Sequence, residues 1–228
     1  MTIGEAEGDD VYLFQSVAAA RFLGDGRIVV ADRGLHELRI YSSEGKFQRR
    51  LGRRGEGPGE FSQVGGMWLT SEGSIAVWDA ANRRITTFGN SDWRHNTKRI
   101  IENPPGGNLE VFFGTFANND IVLASLFPGR RGAEMVPDPW SVGRFGADGS
   151  FKRTLTDVNG MWRFNGYAVP FSPMPFIAVY GDSLYIADGY AAEIVVHDGS
   201  GMVARTMRLP PLAGFSDAIW SSLEDRVR

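Results

Sequence analysis

Short apolar runs recur along the chain, and three of the four close on an aspartate. They are IVVAD (Ile28–Asp32), IAVWD (Ile75–Asp79), IVLAS (Ile121–Ser125) and LYIAD (Leu184–Asp188). Each has the length of a strand and stands between turn-forming Gly, Asp and Asn residues, so each is predicted as a buried strand. A second run follows in three places: LRIY (Leu38–Tyr41), ITTF (Ile85–Phe88) and IVVH (Ile194–His197). FQRRL (Phe47–Leu51), FKRTL (Phe151–Leu155) and VARTMRL (Val203–Leu209) mix apolar and basic residues, as an outer strand facing water would. YLFQSVAAARF, VGGMWLT, LEVFFGTF and PFIAVY each precede one of these groups and predict an innermost strand.

The runs belong to a repeat. At an offset of 47, Gly26 meets Gly73, Ile28 meets Ile75, Asp32 meets Asp79 and Tyr41 meets Phe88. At an offset of 156, Ile28 meets Leu184, Asp32 meets Asp188, Leu38 meets Ile194 and Gly45 meets Gly201. A fourth copy is split. Ile121 stands at the place of Ile28 and Gly149 at the place of Gly45, with about eleven extra residues between them, within Leu126–Trp140. Four strands every forty-odd residues is the period of a propeller blade. A single four-stranded unit cannot bury both faces, so such units stack around an axis. The expected fold is all-β: a β-propeller of four-stranded antiparallel blades. The blades are expected at about 8–57, 58–105, 106–158 with an insertion at 126–140, and 159–210. A short C-terminal helix is expected at 214–228, where Ser216 could cap a face of Ala218, Trp220, Leu223 and Val227.

LGRRGEGPGEF (Leu51–Phe61) falls between the first unit's outer strand and the second unit's inner strand. Its glycines permit positive φ and Pro58 sets a turn. Phe61 is expected to plug the space between adjacent sheets. A phosphate cradle is disfavoured. No Lys-Ser or Lys-Thr completes a Walker loop, and the dinucleotide spacing fails at Gly55, Gly57 and Gly59.

DGRIVVAD, RIYSSEGKFQRRLG, GEGPGEF and VWDAANRRITTF resemble six-bladed β-propellers related to NHL repeats. The likeness runs over about residues 8 to 210. It implies six blades, of which four are visible, so an incomplete ring is expected, with a ring closed by four blades as the alternative. Family members are commonly bacterial exported proteins and lipoproteins, which implies a periplasmic or cell-surface location. Residues 1–10 are acidic and lack a signal peptide's basic and apolar regions, so either the chain stays in the cytoplasm or its natural N-terminus lies upstream.

Composition narrows the chemistry. The 228 residues carry a formal net charge of −3, which provides no general field for nucleic acid or membrane. There is no cysteine, hence no disulfide, thiol nucleophile or thiolate metal site. No apolar run reaches the roughly 18 residues needed to span a bilayer.

Candidate residues fall into three groups. Asp32, Asp79 and Asp188 could form a carboxylate ring, but repetition in every intact unit favours a turn-capping role. His36, His95 and His197 show no HxH or HExxH spacing, and no serine sits in a nucleophile elbow. The third group is geometric. Blade-to-blade links and the links between second and third strands emerge on one face of a propeller. That face would collect Arg53, Arg54 and Glu56 from the corner, and Arg130, Arg131, Glu134 and Trp140 from the insertion. The long connection Asp157–Phe176 would add Trp162, Arg163, Phe164 and Tyr167. Arginine beside aromatics suits a protein, peptide or carbohydrate ligand. The expected function is therefore a non-enzymatic binding scaffold with no cofactor. The alternative is a hydrolase or lyase of the lactonase or streptogramin-lyase type with a channel Ca²⁺.

Overall fold

The structure, a computed structural model, describes residues 2–99, 108–126, 136–165, 167–189 and 191–209. They form four antiparallel sheets with no α-helix among them. Sheet 1 runs β1 (Val17–Phe22), β2 (Ile28–Asp32), β3 (Glu37–Tyr41) and β4 (Phe47–Leu51). Sheet 2 runs β5 (Val64–Leu69), β6 (Ile75–Asp79), β7 (Arg84–Phe88) and β8 (His95–Arg99). Sheet 3 has β9 (Asn108–Thr115), β10 (Ile121–Leu126), β11 (Val136–Phe145), β12 (Phe151–Phe164) and β13 (Tyr167–Ala168). Sheet 4 has β14 (Phe176–Tyr180), β15 (Ser183–Ala187), β16 (Glu193–Asp198) and β17 (Val203–Arg208). In every sheet, neighbours in sequence are neighbours in space. The expected C-terminal helix, 214–228, lies outside the described residues.

The innermost strands touch in succession, β1 on β5, β5 on β9 and β9 on β14, which is the arc of a propeller. Alternation along each strand gives every sheet two apolar flanks. Between sheets 1 and 2, Val29, Ala31, Leu38 and Ile40 meet Val64, Met67, Ile75 and Val77. On the other flank of sheet 2, Ala76, Trp78 and Ile85 meet Ile121, Leu123 and Phe145 of sheet 3. Val122, Val142 and Leu155 then meet Leu184 and Ile186 of sheet 4. Phe61 is fully buried in the first of these layers, 6.1 Å from the Phe88 ring, as the plug reading expects.

In sheets 1 and 2 the repeated aspartates tie the second strand to the segment entering the first, and in sheet 4 the aspartate caps the turn that follows its own strand. Asp32 accepts N–H bonds from Gln15 (2.8 Å), Ser16 (3.0 Å), Gly34 (2.9 Å) and Leu35 (3.2 Å). Asp79 accepts from Ser62 and Gln63 (both 3.0 Å) and from the Asn82 side chain (2.7 Å). Asp188 accepts from Ala191 (3.1 Å). The capping role accounts for their repetition. In the split unit Ser125 takes the place, and Asp120 anchors the other end of the sheet through Arg144 and Lys152.

Candidate functional site: the extension of sheet 3

The Gly-rich corner is a packed joint. Phe61 N–H donates to the Arg53 carbonyl (2.8 Å), and Arg54 bridges to Phe61. Gly52 adopts φ +81° with the Phe61 ring pressed against its α-carbon, so a side chain there would meet both strain and collision. Arg84 donates to the carbonyls of Glu56 (2.6 Å), Gly57 (3.0 Å) and Glu60 (2.5 Å). The corner therefore turns carbonyls toward a cation, the reverse of a phosphate cradle. Glu60 accepts from the Gly57 N–H and pairs with Arg53 at 2.7 Å. Those two contacts, the backbone one first, hold its carboxyl below the ordinary range. Arg53 and Arg54 are both exposed on this corner.

Sheet 3 departs from the other three at the same edge. Its β10 and β11 pair from Ile121↔Phe145 to Leu126↔Trp140, and β11 begins still further out, with Val136 opposite Arg163. Strand β12 runs 14 residues, against five or six for the outer strands of the other sheets. It then reverses after Phe164, where Asn165 takes the positive φ (51°) that tight hairpins favour, and returns as β13. Phe164 and Tyr167 face each other across that turn, and Arg163 opposes Ala168. The Val169 N–H continues the ladder to the Trp162 carbonyl (2.9 Å). Asp157–Phe176, expected as a long connection, is thus mostly strand and hairpin. The MWRF run carries the strand onward, and Asn165 with its positive φ follows it.

The candidate residues here divide by exposure. Trp140 is only 8% exposed, stacked on Phe113 and lying over Gly160, where a side chain would collide with its indole. It braces the extension rather than presenting a face. Trp162 is half-buried. Arg163 pairs with Asp138, a carboxylate buried in the neighbouring strand β11. The hairpin tip is open: Phe164 is 48% exposed and Tyr167 80%. Arg130, Arg131 and Glu134 lie outside the described residues. The structure thus brings Trp140, Trp162, Arg163 and Tyr167 together on one sheet, while Arg53 and Arg54 sit on the corner between sheets 1 and 2. Replacing Arg163 with methionine keeps its length but strands the Asp138 carboxylate. A loss of about 2 kcal/mol of unfolding free energy is expected, read by urea denaturation.

At the foot of the extension a groove of about 290 Å³ opens between β12 and sheet 4. Its polar lining is Asp157, Asn159, Asp188 and His197, with Pro139 and Ile186 as apolar walls. His197 is buried at the aromatic strand position expected for it, and its Nδ1 lies 2.9 Å from the Gly201 carbonyl. A carbonyl only accepts, so Nδ1 carries the proton and Nε2 is the acceptor of the neutral ring. Among the described residues no three His, Asp or Glu side chains converge as a metal site would require. Asn159 and Asp138 were not singled out from sequence. Their signal was the register of β11 on β12, closed by the turn at Gly146–Ser150.

Residues 7–99, covering sheets 1 and 2, match a family described as a 6-bladed beta-propeller. No curated protein matches the chain. Among solved structures it is similar to a putative exported protein from Bacteroides fragilis NCTC 9343, at 14% identity over 91% of this chain and 54% of that one, with a TM-score of 0.57. It is also similar to virginiamycin B lyase from Staphylococcus aureus, crystallised as a catalytically inactive variant with quinupristin. That likeness is 14% identity over 87% of this chain and 59% of the lyase, with a TM-score of 0.51. The chain thus spans between 54% and 59% of these two proteins' lengths. Identities this low carry the fold and leave function to the site's own chemistry. The chain has a β-propeller fold, and its first two sheets match the model of a six-bladed propeller family.

Proposed function

We propose that this protein is a non-enzymatic recognition scaffold whose binding element is the extension of sheet 3. One observation carries the reading. Three sheets follow the repeat closely, while the third is lengthened by a hairpin that leaves Phe164 and Tyr167 open to solvent at its tip. Exposed aromatic rings on a rigid support favour stacking on a sugar ring or seating an apolar peptide side chain. The Asp138–Arg163 pair and the Trp140 packing hold the hairpin before ligand arrives, which lowers the entropic cost of binding. The groove at its foot supplies acceptors, from Asp157 and Asp188, for a ligand's hydroxyl or N–H groups. A protein, peptide or carbohydrate fits this chemistry.

The test is a panel of immobilised oligosaccharides and a displayed peptide library, probed with the wild type and with Phe164→Ala/Tyr167→Ala. The reading expects at least one specific hit, weakened 10-fold or more in the double variant, roughly what two aromatic contacts contribute. Melting should be unchanged between the two proteins, because both rings are solvent-facing. Hits that the double variant retains in full would place recognition elsewhere.

The competing reading, a lyase or hydrolase with a channel divalent ion, makes a different prediction. An ion bound only to the native state raises the melting midpoint by mass action. The scaffold reading expects the same midpoint in millimolar-range calcium and in excess chelator.

A further inference from the structure

An aromatic ring closes the joint between sheets 1 and 2. Phe61 lies against Phe88 and over the α-carbon of Gly52. The next two N–H groups, of Ser62 and Gln63, both donate to Asp79 at 3.0 Å and hold the ring in place. Sheet 4 has the same residue in the same place. Ile177 opposes Ile186 as Met67 opposes Val77, so the segment entering sheet 4 stands 110 positions on, and Phe61-Ser62 meets Phe171-Ser172.

Phe171 does not close the joint between sheets 3 and 4. Its side chain is fully exposed, on a backbone at φ 60°. The Ser172 N–H donates to the Val169 carbonyl (3.3 Å), and the Ser172 hydroxyl accepts from the Trp162 N–H (3.3 Å), so the extension of sheet 3 holds this segment. Three changes in sequence oppose closure. Pro173 stands where Gln63 does and has no N–H to offer Asp188. His197 stands where Phe88 does. Gly52 has no counterpart: β12 runs on through Thr156 and Asp157, whereas a side chain at Gly52 would come within 2.3 Å of the Phe61 ring. The joint is thus shut to its own plug and open as the groove of about 290 Å³ between Thr156, Asp157, Ile186 and His197. That is the small end of the range for ligand sites, which begins at about 300 Å³.

The lining sets the chemistry of what can enter. Among the described residues the side chains of Asp157 and Asn159 make no hydrogen bond, and His197, only 8% exposed, has an unpaired acceptor in Nε2. Asp188 adds a second carboxylate, and no Lys or Arg lines the groove, so an anion would be taken from water without a countercharge. Asn159 donates as well as accepts, and an ammonium or guanidinium cannot accept from it. A hydroxyl does both, donating to a carboxylate or to Nε2 and accepting from an amide. Pro139 and Ile186 provide apolar walls for the C–H face of a ring.

We propose that the groove between sheets 3 and 4 binds one neutral sugar residue, with hydroxyls on Asp157, Asn159 and the His197 Nε2. The inference rests on the recognition reading and narrows its ligand to a class and its position to this joint.

The test is calorimetric and ligand-observed NMR titration with methyl glycosides of the neutral hexoses and N-acetylhexosamines, to millimolar concentration, beside the matching uronic acids. At least one neutral glycoside should bind, and its uronic acid should bind about 10-fold more weakly or worse, the scale of one charge-assisted contact. Asp157→Ala/Asn159→Ala should weaken the neutral glycoside by about 10-fold or more with melting unchanged, since both side chains are exposed. His197→Phe restores the aromatic residue of the repeat, fills the groove and removes Nε2, so binding should be lost. If that variant does not fold, the exposed pair decides alone. Phe164→Ala/Tyr167→Ala should bind the single-residue glycosides as the wild type does. No bound neutral glycoside, binding that the groove variants keep, binding lost with Phe164 and Tyr167, or a uronic acid that binds equally well would each overturn the inference. Panel hits that still depend on Phe164 and Tyr167 would then leave the recognition scaffold standing without the sugar site.

Discussion

Replacing Asp120 with asparagine is expected to cost about 3 kcal/mol of unfolding free energy, the cost of breaking a buried charge cluster. Asp120 is 2% exposed at the start of β10. Its carboxylate meets Arg144 at 2.6 Å and Lys152 at 2.7 Å, and Asn118 donates to it at 3.1 Å. Arg144 also lies over the Phe116 ring at 4.6 Å and donates to the Gly199 carbonyl of sheet 4, so the cluster joins two sheets. Asparagine keeps the shape but leaves Arg144 without a neutralising charge in a part-buried site.

The same substitution changes the pH profile. Burial alone would raise the Asp120 carboxyl, but Lys152, Asn118 and Arg144 outweigh it and hold the group below its ordinary 3.8. A carboxyl lowered in the folded state stabilises fully above its unfolded value and loses that contribution as pH falls through the lower folded value. The wild type should therefore lose its advantage over Asp120→Asn as pH falls below about 3.8. Urea denaturation of both proteins at neutral pH and at steps below 3.8 reads the difference. A constant gap across that range would mean that the charge of Asp120 contributes nothing.

Replacing Asp79 with alanine is expected to cost about 3–4 kcal/mol, because several buried donors lose their acceptor together. Asp79 is fully buried, and the Ser62 and Gln63 N–H groups, with Asn82, point at it. Arg84, 3.7 Å away, also loses its countercharge. Asp32→Ala should cost a similar amount, since four N–H groups converge on Asp32. Thermal and urea unfolding without added metal checks both. A carboxylate kept for binding an ion would behave differently: its loss would leave the metal-free protein unchanged.

Much of the fold was legible because the repeat makes local and global signals agree. Ile28, Ile75 and Ile121 each begin a second strand where the alignment places one, and Leu184 stands second in β15. The aspartates were readable as caps because a repeated polar residue at a strand end answers a repeated backbone need. The joint at Leu51–Phe61 was readable because glycines at alternate positions with a proline neither open a helix nor cradle a phosphate.

The site was less legible, for a physical reason. It lies where the repeat is broken, so no second copy supplies the register. The Asp157–Phe176 segment has few long apolar runs, and its Met-Trp-Arg-Phe stretch reads equally as loop or strand. The Asn-Gly dipeptide at 165–166 of the sequence was the missing clue, since such a pair signals a hairpin, and Phe164 does stand opposite Tyr167. The pairing of Arg163 with Asp138 depends on β11 lying beside β12, a contact across 25 positions that spacing alone does not reveal.

The most direct test of the account is hydrogen exchange on the wild type with and without a hit from the oligosaccharide and peptide panels. Slowed exchange should concentrate in 136–145 and 156–168, the strands and hairpin that carry Phe164, Tyr167 and the groove. The corner at 52–60 should exchange at the same rate with and without ligand. Protection on the corner or along the innermost strands, with the sheet 3 extension unchanged, would contradict the account.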